Sequence, residues 1–341
     1  MNKNIFISTI KNIILDTIRK IDKWQYFLIE CRHGEKELRK KYYNNEKPFK
    51  TGKEPVYIFM VNGYSWHGGL SDRLKGAITV YNWCKNNQKQ FKINWTSPFE
   101  LNRYIVPNQY NWLIKKEDVV YSPNTTIAYV MYNKNIDRLI QNGKAFKLTN
   151  HYFDKKIASN RNQAHIYTNA GPNDNILFGR LFNELFKPSE LIEKELNKHW
   201  AVIKKRDYIS VSFRFVQLLG DFKDSSGIIL ESSERIKLIN KSLNVLDKLY
   251  NKNNCHILVT ADSSTFLNEA KKRKYVYVAE GRVGHIDFES SDEVNIKTFV
   301  DFYLIANAKK VYLAKSNLMY NSDFARRASM LNNLEFKLVE Y

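Results

Sequence analysis

The sequence predicts an α/β protein built as two Rossmann-like lobes with a cleft between them. Three observations carry that expectation. The runs VYIFMV (56–61), YISVSFRF (208–215), HILVTAD (256–262) and KVYLAKS (310–316) are largely apolar, as strands buried on both faces are. Stretches with helical spacing separate them, the pattern of parallel sheets joined by crossover helices. The 341 residues, 43% of them hydrophobic, suit two domain-sized cores better than one.

In chain order, residues 1–54 form a basic N-terminal segment. Ile10, Ile13, Ile14, Ile18, Ile21, Trp24 and Leu28 recur at helical spacing, with Lys11, Arg19, Lys20 and Lys23 on other faces. A basic amphipathic helix of this kind lies on an anionic membrane or packs against its own protein. The basic run CRHGEKELRKKYYNNEKPFKTGKEP (31–55) reads as a flexible tether and tips the expectation toward the membrane. The strand 56–61 leads to a helix over 70–87, with Leu70, Leu74, Ala77, Ile78 and Tyr81 on one side, and FKINW (91–95) is a second strand. Residues 100–165 do not parse into elements. AHIYTNA (164–170) is a strand, and 177–199 is helical apart from a break at Pro188. A boundary near Trp200 gives lobes 55–199 and 200–341. In the second lobe, strands at 208–215, 256–262, 275–280 and 310–316 alternate with helices at 233–251, 263–273, 292–308 and 320–332.

Composition narrows the function classes. The net charge of +19 suits an anionic partner: nucleic acid, nucleotide phosphates or an acidic membrane surface. Residues 1–53 hold thirteen basic and six acidic residues, so much of the excess is spread along the chain, and a Lys- and Asn-rich coding bias accounts for part of it. Cys31, Cys84 and Cys255 are odd in number and far apart, which argues against a disulfide framework and fits a reducing, cytoplasmic compartment. No Cys/His spacing suits zinc, so no metal is expected. No run reaches the roughly 18 apolar residues of a membrane span, and the N-terminus does not read as a secretory signal.

In open parallel sheets, ligands bind beyond the carboxyl ends of the strands. Those ends lead here into NGYSWHGGLSDR, RFVQLLGDFKD, DSS and KSN. Gly68 and Gly69 allow close approach or a positive φ, ahead of a helix whose first N–H groups suit an anion. GGLSDR is neither GxGxxG nor a Walker loop, and an ordinary strand-to-helix turn fits it as well. Arg214 pairs either with a phosphate or with an acid such as Asp221 or Asp262. Asp262 serves as a base, a ribose reader or a helix cap. Ser316 and Asn317 precede the last helix, where a hydroxyl and N–H groups suit phosphate oxygens. His67 and His285 sit in Gly-flanked loops, as solvated side chains or as a base.

Together these residues resemble a family, the GDP-fucose-dependent fucosyltransferases of the α1,2-, α1,6- and protein O-fucosyltransferase type. GGLSDRL (68–74) is similar to the family's Gly-rich segment after the first strand. SFRFVQLLGDF (212–222) resembles its His-x-Arg motif, with Arg214 at the arginine and Ser212 where the histidine usually stands. VTAD (259–262) matches a strand ending in Thr-x-Asp, and FVDFYLIANAKKVYLAKSN (299–317) a helix, strand and Ser-rich turn. The resemblance covers roughly 56–80 and 208–330. It implies a GT-B glycosyltransferase, inverting and metal-independent, with the nucleotide sugar in the C-terminal lobe and the acceptor read by 55–199. It also implies that Arg214 holds the β-phosphate and stabilises departing GDP, Ser316 and Asn317 bind the pyrophosphate, and Asp262 the guanosine part. The Gly68–Arg73 loop approaches the sugar phosphate, with Asp72 or Arg73 facing the sugar. An inverting enzyme needs a base for the acceptor hydroxyl: Asp221 first, then Asp72 and His67. Ser212 in place of the histidine loosens the inference to guanine.

The expected function is therefore transfer of fucose from GDP-fucose to a bacterial surface glycan precursor. The basic N-terminus suits a lipid-linked acceptor on the inner face of the cytoplasmic membrane. Three rivals stay open: a GT-B enzyme using another nucleotide sugar, a noncatalytic scaffold, and a basic nucleic-acid-binding protein. The last is disfavoured because the aromatics fall within core patterns and no RNA or DNA motif is present.

Overall fold

The computed structural model describes residues 34–42, 55–65, 67–122, 125–131, 162–169, 171, 175–204, 207–222 and 228–341. The amphipathic stripe of 10–28 lies outside them. The described residues fall into two compact units, one drawn from Met1–His67, Lys75–Asn94 and Ile114–Gly171, the other from Gly68–Leu74, Trp95–Leu113 and Pro172–Tyr341.

The first half carries a helix over 34–42 (α1), strand Val56–Val61 (β1), helix Leu70–Asn86 (α2) and strand Gln90–Trp95 (β2). Strands Ile105–Pro107 (β3), Thr126–Met131 (β4) and Gln163–Thr168 (β5) come after them. Helix Asn175–Leu185 (α3), strand Phe186–Pro188 (β6) and helix Glu190–Val202 (α4) come next, Pro188 dividing the helices as its missing N–H leads one to expect. The second half runs Tyr208–Phe213 (β7), Ser232–Asn253 (α5), His256–Ala261 (β8), Ser264–Ala270 (α6), Val276–Tyr277 (β9), Asp292–Ala306 (α7), Val311–Lys315 (β10), Phe324–Met330 (α8) and Phe336–Glu340 (β11).

Three differences from the sequence reading have physical causes. Residues 34–42, within the expected tether, form a helix because Leu38 and Tyr42 are one turn apart and both sink into the core of the first unit. The strand expected at 275–280 shrinks to Val276–Tyr277 at the edge of its sheet. Phe336–Glu340 is an extra strand on the opposite edge, half-exposed and charged, so it lacks the apolar run that marks its neighbours.

The first unit holds a four-stranded sheet in the order β2-β1-β5-β4, with β1/β5 and β5/β4 parallel. All six residues of β5 are buried, including Gln163 and His165. Each polar group finds a partner. His165 Nε2 donates to Gln163 Oε1 at 3.0 Å, so its Nδ1 accepts from the Tyr42 hydroxyl at 2.8 Å. Tyr167 lies 2.9 Å from the same hydroxyl, and Asn62 Nδ2 donates to Tyr167 at 3.2 Å and to Tyr121 at 3.1 Å. Burial pulls the His165 imidazole down to about 3, so it is neutral here.

The second unit holds a five-stranded sheet in the order β11-β10-β7-β8-β9, every pair parallel. Its central strand β7 is wholly buried, as a strand with helices on both faces must be. The chain steps from β7 outward through β8 and β9, then returns to the other side of β7 for β10 and β11. The strand order therefore reverses between β7 and β10, the switch point at which open α/β sheets bind ligands. Phe213, Ala261 and Ala314 stand level in the register, so Arg214, Asp262 and Lys315 all leave the sheet on one side.

Candidate functional site

Arg214 is the first residue beyond β7. Phe213 and Phe215 stack with centroids 5.9 Å apart and both lie against Phe266 of α6, which pins the chain on either side of the arginine. Its guanidinium Nη1 lies 3.0 Å from Asp262 Oδ2 and its carbon 4.6 Å from the centre of the Phe222 ring. An ion pair and a cation–π contact thus hold the fork at the switch point while 20% of the side chain stays exposed.

Asp262 organises the turn that carries Arg214. Its Oδ1 accepts from the Phe215 N–H at 2.8 Å and its Oδ2 from the Val216 N–H at 2.7 Å. Val216 has φ +57°, a left-handed conformation costly for a β-branched residue, and the carboxylate clamp holds it there. Burial pushes the Asp262 carboxyl upward, against the pull of Arg214 and the two amides. Of the two partners offered to Arg214 by the sequence, Asp262 is the one that meets it.

Asp221 is engaged at the start of α6. Its Oδ2 accepts from Ser263 Oγ at 2.9 Å and from the Thr265 N–H at 2.8 Å, while Ser263 Oγ accepts from the Phe266 N–H. Ser212 lies opposite Thr260 in the β7/β8 register, and their hydroxyls are 2.7 Å apart and buried. After β10, the Tyr320 N–H donates to the Arg214 carbonyl at 3.1 Å, tying the loops on the two sides of the switch point together. The Ser316 hydroxyl is buried there with no hydrogen-bond partner among the described residues, and Asn317 is exposed.

The Gly-rich segment reaches the same region by another route. Gly68 has φ +78°, and a Cβ there would meet Asp72 Oδ2 at 2.6 Å; beside Gly69 a Cβ would meet nothing within 4 Å. The first glycine is needed for the turn and the second leaves open space. Arg73, 5% exposed, donates from Nε to the Gly68 carbonyl at 2.9 Å and from Nη1 to the Ser97 carbonyl at 3.2 Å, and its Nη2 pairs with Asp287. Burial pulls its guanidinium below the ordinary value, opposed by Asp287. The Asp287 N–H donates to His285 Nδ1 at 3.2 Å, and the His285 ring meets Phe222 edge-on at 6.1 Å.

Gly68–Arg73, His285 and Arg214 are therefore joined within one unit through Asp287 and Phe222. His67 falls in the other unit, buried against Phe59 and Tyr167. Sequence reasoning gave no role to Phe222, Asp287 or Thr260. Phe222 and Thr260 stood in motifs already singled out, SFRFVQLLGDF and VTAD; Asp287 is 214 positions from its partner. Among the described residues no three His, Cys, Asp or Glu side chains group as they would around a metal ion, and no helix is long and apolar enough to cross a membrane.

No family model matches the sequence, and no curated protein matches it by sequence. Solved structures match it by fold. NodZ α-1,6-fucosyltransferase soaked with GDP-fucose superposes with a TM-score of 0.52 at 14% identity, covering 82% of this chain and 93% of that one. A mutant of Arabidopsis thaliana FUT1 in complex with GDP gives 0.52 at 11% identity, over 94% and 78% of the two chains. POFUT1 in complex with GDP-fucose gives 0.50 at 9% identity, over 84% and 97%. These are the kinds of enzyme to which the short motifs were likened, and the two α/β units are those of a GT-B architecture. The chain carries the fold of these fucosyltransferases.

Proposed function

We propose that this chain is a glycosyltransferase that moves fucose from GDP-fucose to a hydroxyl of a glycan, with inversion and without a metal. The observation that carries the reading is Arg214, an oriented and partly exposed guanidinium at the switch point of the second sheet. As the sugar–phosphate bond breaks, its electron pair and charge pass to the β-phosphate, and a fixed fork there stabilises the departing diphosphate. The Ser316 hydroxyl, with no hydrogen-bond partner among the described residues, and the neighbouring Asn317 supply further contacts to pyrophosphate oxygens. The open side of Gly69 lets main chain approach the sugar phosphate. Asp262 serves this site by holding Arg214 and its turn. The acceptor hydroxyl attacks the anomeric carbon and gives its proton to Asp221 or Asp72, and Asn variants of each compared by kcat identify which. The net charge of +19 and the basic amphipathic N-terminus favour a lipid-linked surface glycan precursor at the inner membrane face.

The test is thermal stabilisation by GDP, UDP and CMP in the presence of a chelator, on wild type and Arg214→Ala. A ligand at 100 times its dissociation constant adds about 2.7 kcal/mol. The expected result is a GDP-selective shift lost in the variant. A UDP-selective shift would keep the glycosyltransferase and discard fucose, and no shift with any nucleotide would discard the reading.

A further inference from the structure

A cavity of about 440 Å³ opens in the second unit, far in chemistry from the site above. It lies where the chain enters the sheet. Trp200 precedes β7, Asn307 precedes β10 and Asn332 precedes β11, and the helices α4, α7 and α8 all end there. Because the strands are parallel, this is the opposite end of the sheet from Arg214, Asp262 and Ser316.

Its walls have a consistent character. Leu196, Ala306 and Leu331 are buried and apolar, and Trp200 adds an aromatic surface. Three amides are pinned by their NH₂ groups to main-chain carbonyls: Asn183 to Leu331, Asn332 to Ala306 and Asn307 to Tyr303, at 2.7, 2.7 and 2.8 Å. Pinning fixes the amide planes and leaves the side-chain oxygens as acceptors. Tyr303 is 7% exposed, and its hydroxyl is buried with no hydrogen-bond partner among the described residues. Burial and the nearby Glu193 carboxylate hold its proton on, so it remains a donor. Among the described residues, no Lys or Arg joins this lining, and Glu193 brings a carboxylate to it. Phosphates and other anions therefore find no countercharge among the described residues.

We infer that this cavity binds an uncharged sugar residue, at a site separate from the nucleotide end of the sheet. The match is one of chemistry and size. A saccharide offers hydroxyl donors to fixed amide oxygens, a hydroxyl acceptor to Tyr303, and apolar C–H faces to Trp200 and Leu331. The volume is that of an ordinary small-ligand pocket, commonly about 300–1,000 Å³. An unpaired buried hydroxyl carries a desolvation cost that a ligand reaching it relieves. The inference stands whether or not the other end transfers fucose, since it shares none of those residues.

The experiment is saturation-transfer NMR on the full chain with free fucose, galactose and N-acetylglucosamine, with and without saturating GDP. At least one sugar is expected to bind saturably, unaffected by GDP and by Arg214→Ala. Tyr303→Phe is expected to weaken that binding about fivefold without lowering the melting temperature, because the lost hydroxyl had no partner; a damaged fold would instead lower both. Asn197→Arg, on the exposed rim, is expected to block the mouth. The inference is overturned if no sugar binds, if GDP displaces the bound sugar, or if both variants bind as wild type does.

Discussion

The two main sheets of this chain handle buried polarity in opposite ways. In the first, the inner strand β5 carries Gln163 and His165 inside, and phenols, amides and main-chain groups answer them without a charge. In the second, the central strand β7 buries hydroxyls alone, those of Tyr208, Ser210 and Ser212, and charge collects past the strand ends at Arg214 and Asp262. A satisfied neutral network makes a rigid interior that answers to pH through one imidazole. A clamped ion pair at a strand mouth instead keeps a cation aimed where an anion can reach it. The difference says which sheet is built to meet charge.

The largest effect that would break this contrast is in the second sheet. Asp262→Ala leaves the Phe215 and Val216 N–H groups and Arg214 without their acceptor, and is expected to cost about 3–5 kcal/mol in urea melts. Asp262→Asn loses less, since an amide oxygen still accepts. A cost below about 1 kcal/mol would mean that the turn holds without its clamp.

Next, Arg214→Ala is expected to lower kcat/KM with GDP-fucose about 10²–10³-fold. Arg214→Lys should recover only part, because an ammonium cannot make the forked contact. A fall under about tenfold, roughly 1.4 kcal/mol, would put the diphosphate elsewhere.

The first sheet is sharpened by pH. The folded His165 imidazole titrates near 3 and the unfolded one near 6.5, so the unfolded chain takes up the proton first. Its stabilising effect is complete above pH 6.5 and shrinks by about 1.4 kcal/mol per unit as pH falls toward 3. Melting curves between pH 7 and 4.5 should show this slope, and His165→Gln should lessen it. Equal slopes in both proteins would deny the neutral network its titrating member.

The smallest effect is Tyr42→Phe, which leaves the buried His165 Nδ1 without its donor and should cost about 1–2 kcal/mol. GDP binding should not change. A neutral result would detach the 34–42 helix from the first sheet.

Much of the fold was legible because strand and helix periods are written within a few residues. VYIFMV, YISVSF and HILVTA are strands where their apolar runs stand, and Pro188 breaks the helical stretch where it must. Gly68 was legible as a turn residue, and φ +78° bears this out. The region 100–165 was not, since β4 owes its place to its pairing with β5 rather than to any local period, whereas β5 was read as the strand in AHIYTNA. Arg214 could be seen to need a partner, but two acids competed for it on paper. Asp262 takes the ion pair because the β7/β8 register sets the ends of the two strands level, while Asp221 lies over the first turn of α6.

By itself, then, the sequence determined the α/β alternation, the parallel sheets and an arginine at the end of a central strand. Only the tertiary structure decided that Arg73 pairs with Asp287, that Ser212 meets Thr260, and that three pinned amides and the Tyr303 phenol share a cavity. The reason is physical. Backbone propensity and hydrophobic period act over one or two turns of chain. The partner of a buried charge is set by strand register and loop packing, which bring together residues that nothing local relates.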